Sequence, residues 1–290
     1  MRVGTRGSAL ALAQATWVAS RVAAETEVIE ISTAGDRGAA AGDKSRWVSE
    51  LERALVAGEI DLAVHSAKDV PSELAQGLEL VAFPERADPR DAICGAPSVR
   101  ALRRGARVGT SSLRRAAQLR ALRDDIEVVD MRGNVDTRLR KLADGQVDAL
   151  VVSLAGLQRL GRAHEAGGVL ADLVPAAGQG ALALEARAGA IPPSVVGPLR
   201  DASTTLAVGA ERDLVRALEA SCNTPVGAHA EVVGGGRVEL RTWVGLPDGL
   251  HWISDQLVAP AGSAGAAVAE RLRSVGAGEL LRRAERELAA

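Results

Sequence analysis

The chain has few cysteines and no long apolar run. Its 290 residues include two cysteines, Cys94 and Cys222. Two thiols outside a CxxC pair cannot build a disulfide framework or a four-ligand zinc site, so we expect a reducing compartment and no metal. No segment has eighteen consecutive uncharged apolar residues, and charged residues stand at Arg2 and Arg6, so neither a membrane span nor a secretion signal is indicated. The sequence therefore predicts a cytoplasmic protein without a membrane partner.

An excess of charge of either sign is absent as well, because the formal net charge is −2 at pH 7. Without an overall basic field, a nucleic-acid partner would require a local basic patch, and none is predicted. Lysine is rare: the 35 basic residues include only Lys44, Lys68 and Lys141 as lysines, and the rest are arginines. A compact, titratable ammonium differs chemically from a guanidinium, so each lysine is a candidate functional residue.

What remains is ordinary globular composition, with 47% hydrophobic and 25% charged residues. Up to about residue 160, short apolar runs alternate with helical periodicity, which is typical of α/β folds. The predicted strands are 2–5, 27–32, 60–64, 78–83, 106–109, 126–131 and 148–152. The predicted helices are 8–24, 47–57, 112–123, 135–143 and 154–160.

The two halves of this α/β region resemble each other in sequence. Residues 2–5 recur as 107–110, and residues 58–66 match 145–153 with Gly, Asp, Val and Ser at the same offsets. Between these matches, a glycine and a polar residue follow the second strand of each half. Three matches in the same order predict two similar lobes around a cleft, where strand-to-helix loops and helix N-termini favour anions.

The first half contains an insertion that the second half lacks. Residues 35–58 of the first half correspond to the shorter stretch 133–145 of the second, and the extra residues fall around 37–47. This segment has no apolar period and ends near Lys44 and Trp47, so we interpret it as a lid loop. A surface insertion without a function is the alternative.

The remainder of the chain predicts a separate domain. A polar, proline-flanked segment at 84–91 is a predicted hinge, and a return crossing is expected after Leu173. A helix at 204–220, three strand-like runs within 226–258 and two closing helices indicate a small α+β domain. The predicted domains are lobe 1 (1–84 with about 175–200), lobe 2 (90–173) and the C-terminal domain (202–290).

Arginines cluster after the predicted strands of both lobes. Guanidinium forks bind carboxylates in bidentate pairs, and there is no GxxxxGK[ST] loop or strand-placed GxGxxG run for a phosphate. The pattern therefore favours a small polycarboxylate ligand, although a solvated helix face is the alternative for any single arginine. The arginines are Arg6, Arg114, Arg115, Arg132, Arg138 and Arg159.

Asp69 is the strongest candidate for chemistry. It follows a buried strand, stands beside Lys68 and precedes Pro71. A carboxylate held there with a neighbouring cation stays ionised, so it can stabilise a developing positive charge or move a proton. A helix-capping role is the alternative, and His65 is interpreted as a structural histidine.

Cys222 lies in the turn-rich loop SCNTPVG at 221–227. It has no apolar flank, whereas Cys94 stands beside Ile93 and is expected in the core. No histidine is near Cys222 in sequence, which disfavours a hydrolase nucleophile. The thiol could instead hold a covalent group.

Five sequence runs resemble hydroxymethylbilane synthase, also called porphobilinogen deaminase. They are GTRGSAL at 4–10, HSAKDVP at 65–71, GTSSLRR at 109–115, RGNVDTRL at 132–139 and GQG at 178–180. The resemblance covers essentially the whole chain. It implies two periplasmic-binding-protein-like α/β lobes around a cleft, with a small α+β C-terminal domain.

The resemblance implies a cytoplasmic, monomeric transferase of tetrapyrrole (haem and porphyrin) biosynthesis. It would join four molecules of the substrate porphobilinogen head to tail, release ammonia at each step, and then hydrolyse off linear hydroxymethylbilane. A dipyrromethane cofactor would be attached to Cys222 through a thioether. Asp69 would hold the pyrrole N–H groups and stabilise the cationic azafulvene left when ammonia departs.

The many carboxylates of the growing chain would explain the arginines, and the resemblance extends the binding set beyond them. Trp47 would be a possible ring-stacking platform. The remaining implied cofactor and substrate ligands are Arg6, Ser8, Lys44, Lys68, Thr110, Ser111, Ser112, Arg114, Arg115, Arg132, Gly133, Asn134, Arg138, Arg159 and Gln179. The chain departs from the family pattern in two places, since GDKSRW at 42–47 lacks the usual lid glycines and Ala220-Ser221 replaces a glycine pair.

Two non-enzymatic classes are the alternatives. A two-lobed binding protein that closes on a polycarboxylate would use the same lobes and arginines, but the apparent lack of a signal peptide and the extra domain with Cys222 disfavour it. A ligand-sensing regulatory module is disfavoured because no DNA-binding helix-turn-helix is recognisable.

Overall fold

The computed structural model describes residues 1–32, 48–220 and 224–289. The strands are β1 (Arg2–Arg6), β2 (Glu27–Ile31), β3 (Leu62–Ser66), β4 (Leu78–Ala82), β5 (Asp91–Cys94), β6 (Arg107–Gly109), β7 (Glu127–Val129), β8 (Ala149–Ser153), β9 (Gly168–Leu170), β10 (Leu182–Arg187), β11 (Val226–Gly234), β12 (Arg237–Gly245) and β13 (Trp252–Pro260). The helices are α1 (Ala9–Ala19), α2 (Ser49–Val56), α3 (Leu113–Leu122), α4 (Val135–Ala143), α5 (Leu154–Arg159), α6 (Pro193–Val196), α7 (Ala202–Ala217), α8 (Ala261–Ser274) and α9 (Ala277–Ala289). The predicted lid, with Lys44 and Trp47, and the loop of Cys222 lie outside the described residues.

The first two sheets share one topology. The order of the first is β2-β1-β3-β10-β4, and the order of the second is β7-β6-β8-β5-β9. In each sheet the first three strands are parallel and the fourth is antiparallel to both neighbours. The sequence matches therefore fall on equivalent strands, and the predicted pair of similar α/β lobes is confirmed.

Each antiparallel strand comes from a segment that crosses between the lobes. β5 begins lobe 2 directly after the first crossing, whereas β10 completes lobe 1 after the chain has returned. The two crossing segments lie side by side, because Ala87 N donates a hydrogen bond to Gly180 O at 3.2 Å. Gly180 has a φ of +87°, and a Cβ there would lie only 2.4 Å from Ala87 O. A glycine is therefore required where the crossings touch.

The third sheet has the order β11-β12-β13 and is antiparallel throughout. One face packs on α7, α8 and α9, and its core includes the fully buried Leu214, Leu240 and Leu272. This arrangement confirms the small α+β C-terminal unit. Among the described helices, none combines the length and the apolar character needed to cross a bilayer.

Local capping explains where the site helices begin and end. Ser8 and Ser112 precede α1 and α3, and their hydroxyls accept hydrogen bonds from the main-chain N–H groups of Ala11 and Arg115. Ser and Thr caps satisfy helix donors in this way. Just after the C-terminal end of α7, Glu219 adopts a left-handed conformation with φ of 53°. A residue in this conformation ends the helix.

Candidate active site

Asp69 is presented by a short 3₁₀ turn, Ala67–Asp69, that directly follows the buried strand β3. The turn is anchored to the return segment, because Ala67 N donates to Ala181 O at 3.0 Å. The Asp69 carboxylate is partly exposed and accepts no hydrogen bond from any described residue. Among the described residues it therefore caps no main-chain N–H group.

Gln179, on the return segment, joins the two lobes next to this turn. Its Oε1 accepts hydrogen bonds from Lys68 Nζ at 3.4 Å and from Arg115 Nη2 at 3.3 Å. Its Nε2 donates to Pro89 O and to Asp91 Oδ1 at 2.7 and 2.8 Å. A single buried amide thus connects Lys68 of lobe 1 with Arg115 of lobe 2.

Asp91 holds the two consecutive arginines of α3. Its carboxylate is fully buried and accepts from Arg114 Nη2 at 2.8 Å and from Arg115 Nε at 2.9 Å. Although desolvation acts to raise it, the charges of Arg114 and Arg115 hold the pKa of the Asp91 carboxyl well below its ordinary value. The sequence interpretation assigned Arg114 and Arg115 to ligand carboxylates, and the structure places both of them in ion pairs with a carboxylate of the protein itself.

Arg138 and Arg159 have a different environment from this pair. Both are half-buried, and desolvation lowers the pKa of each guanidinium to about 10. Arg138 Nε donates to Gly133 O and Arg159 Nη2 donates to Gly180 O, and both acceptors are main-chain oxygens. Within the described ranges neither side chain has an ion pair with a carboxylate, so both fit an anionic ligand, since a desolvated charge favours a counter-ion.

The other predicted ligands that the structure describes lie in the loops before α1, α3 and α4. Arg6 ends β1 and Ser8 caps α1, which places both at the edge of lobe 1. The hydroxyl of buried Thr110 accepts a hydrogen bond from Ser112 N, and Arg132 pairs with Asp130. The predicted ligands that precede α3 or α4 are Thr110, Ser111, Ser112, Arg132, Gly133 and Asn134. Lys44, Trp47 and Cys222 lie outside the described residues.

His65 and Cys94 are structural, as the sequence predicted. His65 is buried and its Nε2 lies 2.9 Å from Glu185 Oε2 on the paired strand β10. Cys94 is buried in β5, and burial raises the pKa of its thiol to about 11. A thiol held protonated in this way is a poor nucleophile.

Sequence reasoning missed the ion pair that fastens the C-terminal unit to the crossing segments. Arg86 Nη1 and Nη2 donate to the two carboxylate oxygens of Glu211 at 2.6 and 3.1 Å. Glu211 is fully buried on α7 and also accepts from Gly178 N and Ala230 N. Desolvation opposes its ionisation, but the charge of Arg86 keeps the pKa of Glu211 below the ordinary value. The proline-flanked segment at 84–91 could have indicated a charged contact at the crossing, since it carries both Arg86 and Asp91.

These observations define a class: a two-lobed α/β protein in which a cationic, largely buried network lies where the chain crosses between the lobes. Comparison with known proteins then gives the family. The family model described as "Porphobilinogen deaminase, dipyromethane cofactor binding domain" matches residues 1–191, and the one described as "Porphobilinogen deaminase, C-terminal domain" matches residues 205–274.

Curated relatives agree with these matches. The porphobilinogen deaminase of Deinococcus radiodurans is 44% identical, covering 96% of this chain and 97% of its own. That of Brevibacillus brevis is 41% identical, covering 99% and 98%. The chain belongs to the porphobilinogen deaminase family.

Solved structures match more remotely. The periplasmic substrate-binding protein of an ABC transporter from Coxiella burnetii has a TM-score of 0.44 at 14% identity, covering 70% of this chain and 93% of its own. So remote a likeness says nothing about what this chain binds.

Proposed function

We propose that this chain is a hydroxymethylbilane synthase that condenses four porphobilinogen molecules, with release of ammonia at each step, and hydrolyses off the linear product. The observation that carries the proposal is the Asp69 carboxylate, which accepts no hydrogen bond from the described residues and stands next to the Lys68–Gln179–Arg115 network. A carboxylate held in a fixed position at the cleft can stabilise a positive charge that develops on a substrate.

The residues present fit a dipyrromethane cofactor. Arg138 and Arg159 have desolvated guanidinium groups without a carboxylate partner in the described part of the chain. When bound, this group supplies the primer to which each new pyrrole is joined. Arg138 and Arg159 would bind acetate and propionate side chains, and bidentate carboxylate contacts would orient the rings.

Each side chain then has a defined role in the proposal. Asp69 accepts hydrogen bonds from pyrrole N–H groups and stabilises the cation left when ammonia departs, because a preorganised charge in a partly dehydrated cleft acts more strongly than one screened by water. Lys68 holds Gln179 and adds positive charge for substrate carboxylates. Cys222 is the attachment point, and Lys44 and Trp47 are assigned to the lid; all three assignments come from the sequence.

The remaining members of the binding set are proposed on position alone. They lie in the loops before α1, α3 and α4. We also propose the division into lobe 1 (1–84 with about 175–200), lobe 2 (90–173) and the C-terminal domain (202–290), and a monomeric state. A cytoplasmic location is proposed because a sequence with only two cysteines favours a reducing compartment.

The test is ammonia release from porphobilinogen by the parent chain and by arginine variants. We expect the parent to release ammonia over many turnovers and to form the linear tetrapyrrole. Arg138→Gln or Arg159→Gln should lower kcat/KM roughly tenfold or more, since a lost charge-assisted contact is worth about 1.5–3 kcal/mol. The value of kcat/KM is obtained from the initial rate of ammonia release as a function of porphobilinogen concentration.

Arg103→Gln is the matched control, because Arg103 is an exposed arginine of the same lobe that is paired with Asp148 at 2.9 Å. It should retain the parental kcat/KM. If the parent chain binds porphobilinogen but releases no ammonia, the proposal is contradicted and the two-lobed binding protein is favoured.

A further inference from the structure

One face of α7 packs against the turn that carries Asp69. Val208 belongs to the same buried apolar cluster as Ala67 and Val70. Arg212 lies on the same face of the helix as Val208, because residues four apart on a helix are neighbours. Its side chain therefore reaches the segment that directly follows Asp69.

Arg212 binds this segment through main-chain carbonyls. Its Nη1 donates to Val70 O at 3.1 Å, and its Nη2 donates to Pro71 O at 2.7 Å and to Ser72 O at 3.4 Å. The backbone of Val70 is extended and the ring of Pro71 fixes its φ. A planar guanidinium that spans consecutive carbonyls fixes both the position and the orientation of the chain.

The guanidinium of Arg212 is partly buried where it makes these contacts. Desolvation lowers the pKa of the Arg212 guanidinium, and the neighbouring charge of Arg216 lowers it further. Among the described residues, the hydrogen-bond partners of Arg212 are main-chain oxygens and not carboxylates. Burying a cation without a carboxylate is costly, so the carbonyls after Asp69 are what the side chain gains in return.

The preceding residue, Glu211, holds the other side of the same turn. Its Oε2 accepts a hydrogen bond from Gly178 N at 2.6 Å. Gly178 packs directly on the turn, because a Cβ at this position would lie 2.9 Å from Lys68 N. Glu211 thus supports the Asp69 turn through Gly178, and the next residue of α7, Arg212, binds the segment that follows the turn.

We propose that Arg212 is a positioning residue for Asp69. By binding the carbonyls of the three residues after Asp69, it fixes the backbone from which the carboxylate projects. The inference rests on the proposed function, which gives Asp69 its role. A misplacement of about 1 Å at a reacting group can cost up to roughly 10²-fold in rate, so the loss of this contact should appear in kcat.

The test compares Arg212→Gln and Arg212→Lys with the parent, after the covalent pyrrole content of each protein has been verified by intact mass. For Arg212→Gln we expect kcat for ammonia release to fall roughly 10- to 100-fold while KM for porphobilinogen stays within a factor of about three. The kcat of Arg212→Lys should lie between those of Arg212→Gln and the parent, since an ammonium keeps the charge but not the planar fork.

Arg216→Gln is the matched control on the same helix. Arg216 is exposed, pairs with Asp213 at 2.6 Å and reaches only Ser72 O, at 3.4 Å. It should keep the parental kcat and KM.

A double-mutant cycle with Asp69→Asn separates positioning from a general structural role. If Arg212 acts through the Asp69 carboxylate, Arg212→Gln should cause little further loss in the Asp69→Asn background. Losses that multiply in the double variant, or a parental kcat in Arg212→Gln, would overturn the proposal. If Arg212→Gln does not fold, the same cycle with Arg212→Lys decides by the same two outcomes.

The cycle also distinguishes this inference from the proposed function. A parent chain that releases no ammonia from porphobilinogen would reject the proposed function itself. Normal turnover by the parent and a large loss in Asp69→Asn, together with multiplicative losses in the cycle, would reject only the role of Arg212.

Discussion

Asp69→Asn is expected to lower the single-turnover rate of ammonia release roughly 10²-fold or more, which is the scale of losing one preorganised electrostatic group. Departure of ammonia creates a delocalised cation, and a fixed carboxylate in a partly dehydrated cleft stabilises it better than a screened charge would. Asparagine keeps the size and part of the hydrogen bonding but removes the charge. The variant should remain folded and keep its covalent pyrroles.

Two further variants sharpen this measurement. Asp69→Glu should retain part of the activity, because the charge persists but is displaced by one methylene. Glu73→Gln should release ammonia at the parental rate, because Glu73 is an exposed carboxylate four residues further along the chain. If Asp69→Asn with intact pyrroles also matches the parental rate, the role assigned to Asp69 is wrong.

Asp91→Asn is expected to lower the free energy of unfolding by about 3–5 kcal/mol, because removing one partner of a buried ion pair leaves uncompensated charge. The Asp91 carboxylate is 0% exposed and accepts from Arg114, Arg115 and Gln179 at 2.8–2.9 Å. Its replacement by a neutral amide removes the carboxylate that pairs with two buried guanidinium groups. Urea titration followed by circular dichroism measures the loss.

The pH dependence of this loss follows from the direction of the pKa shift. Because the folded-state pKa of Asp91 lies below its ordinary value of about 3.9, its stabilisation is fully present above that value and is lost as the pH falls through the folded-state pKa. The difference between Asp91→Asn and the parent should therefore shrink in acid.

Asp130→Asn is the control for the Asp91 measurement, since it breaks an ion pair with Arg132 that is largely open to solvent. Exposed pairs contribute little, so its stability should stay close to that of the parent. An Asp91→Asn variant as stable as the Asp130→Asn variant would show that Asp91 is not the anchor of this network.

The lobes could be predicted from the sequence because their strands repeat. Apolar runs flanked by helical periods place β1, β3, β6 and β8 correctly to within two residues. The parallel strands of such a sheet are covered on both faces, so their apolar runs are nearly continuous and easily recognised. The prediction of two similar α/β lobes depended on this regularity.

The antiparallel strands of the two lobes, β5 and β10, were not predicted. β5 is only four residues long, and β10 carries Glu185 within its apolar run, where a charge normally argues against a buried strand. Glu185 is tolerated there because His65 lies 2.9 Å away on the paired strand. Only the return of the chain to lobe 1 brings these two residues together, and local sequence does not contain that information.

The candidate site was predicted unevenly for the same reason. The local sequence indicated Asp69 and Lys68 and the resemblance added Gln179, but spacing along the chain could not show that Arg114 and Arg115 share the buried carboxylate Asp91. Arg86 and Glu211 are far apart in sequence and pair at 2.6 Å in the fold. Their partnership depends on the packing of the C-terminal unit against the crossing segments.

The central claim is that this chain carries a covalent pyrrole primer at Cys222. The measurement that tests it most directly is the intact mass of the denatured protein, purified from cells that make porphobilinogen, because a thioether survives unfolding and a bound ligand does not. Cys94 provides the internal control, since it is buried and its thiol pKa is raised to about 11, so Cys94→Ser should leave any modification in place. We predict an excess mass equal to two linked pyrroles, located on the peptide that contains Cys222 and absent from Cys222→Ser; an unmodified parent chain, or the same excess mass in Cys222→Ser, would contradict the claim.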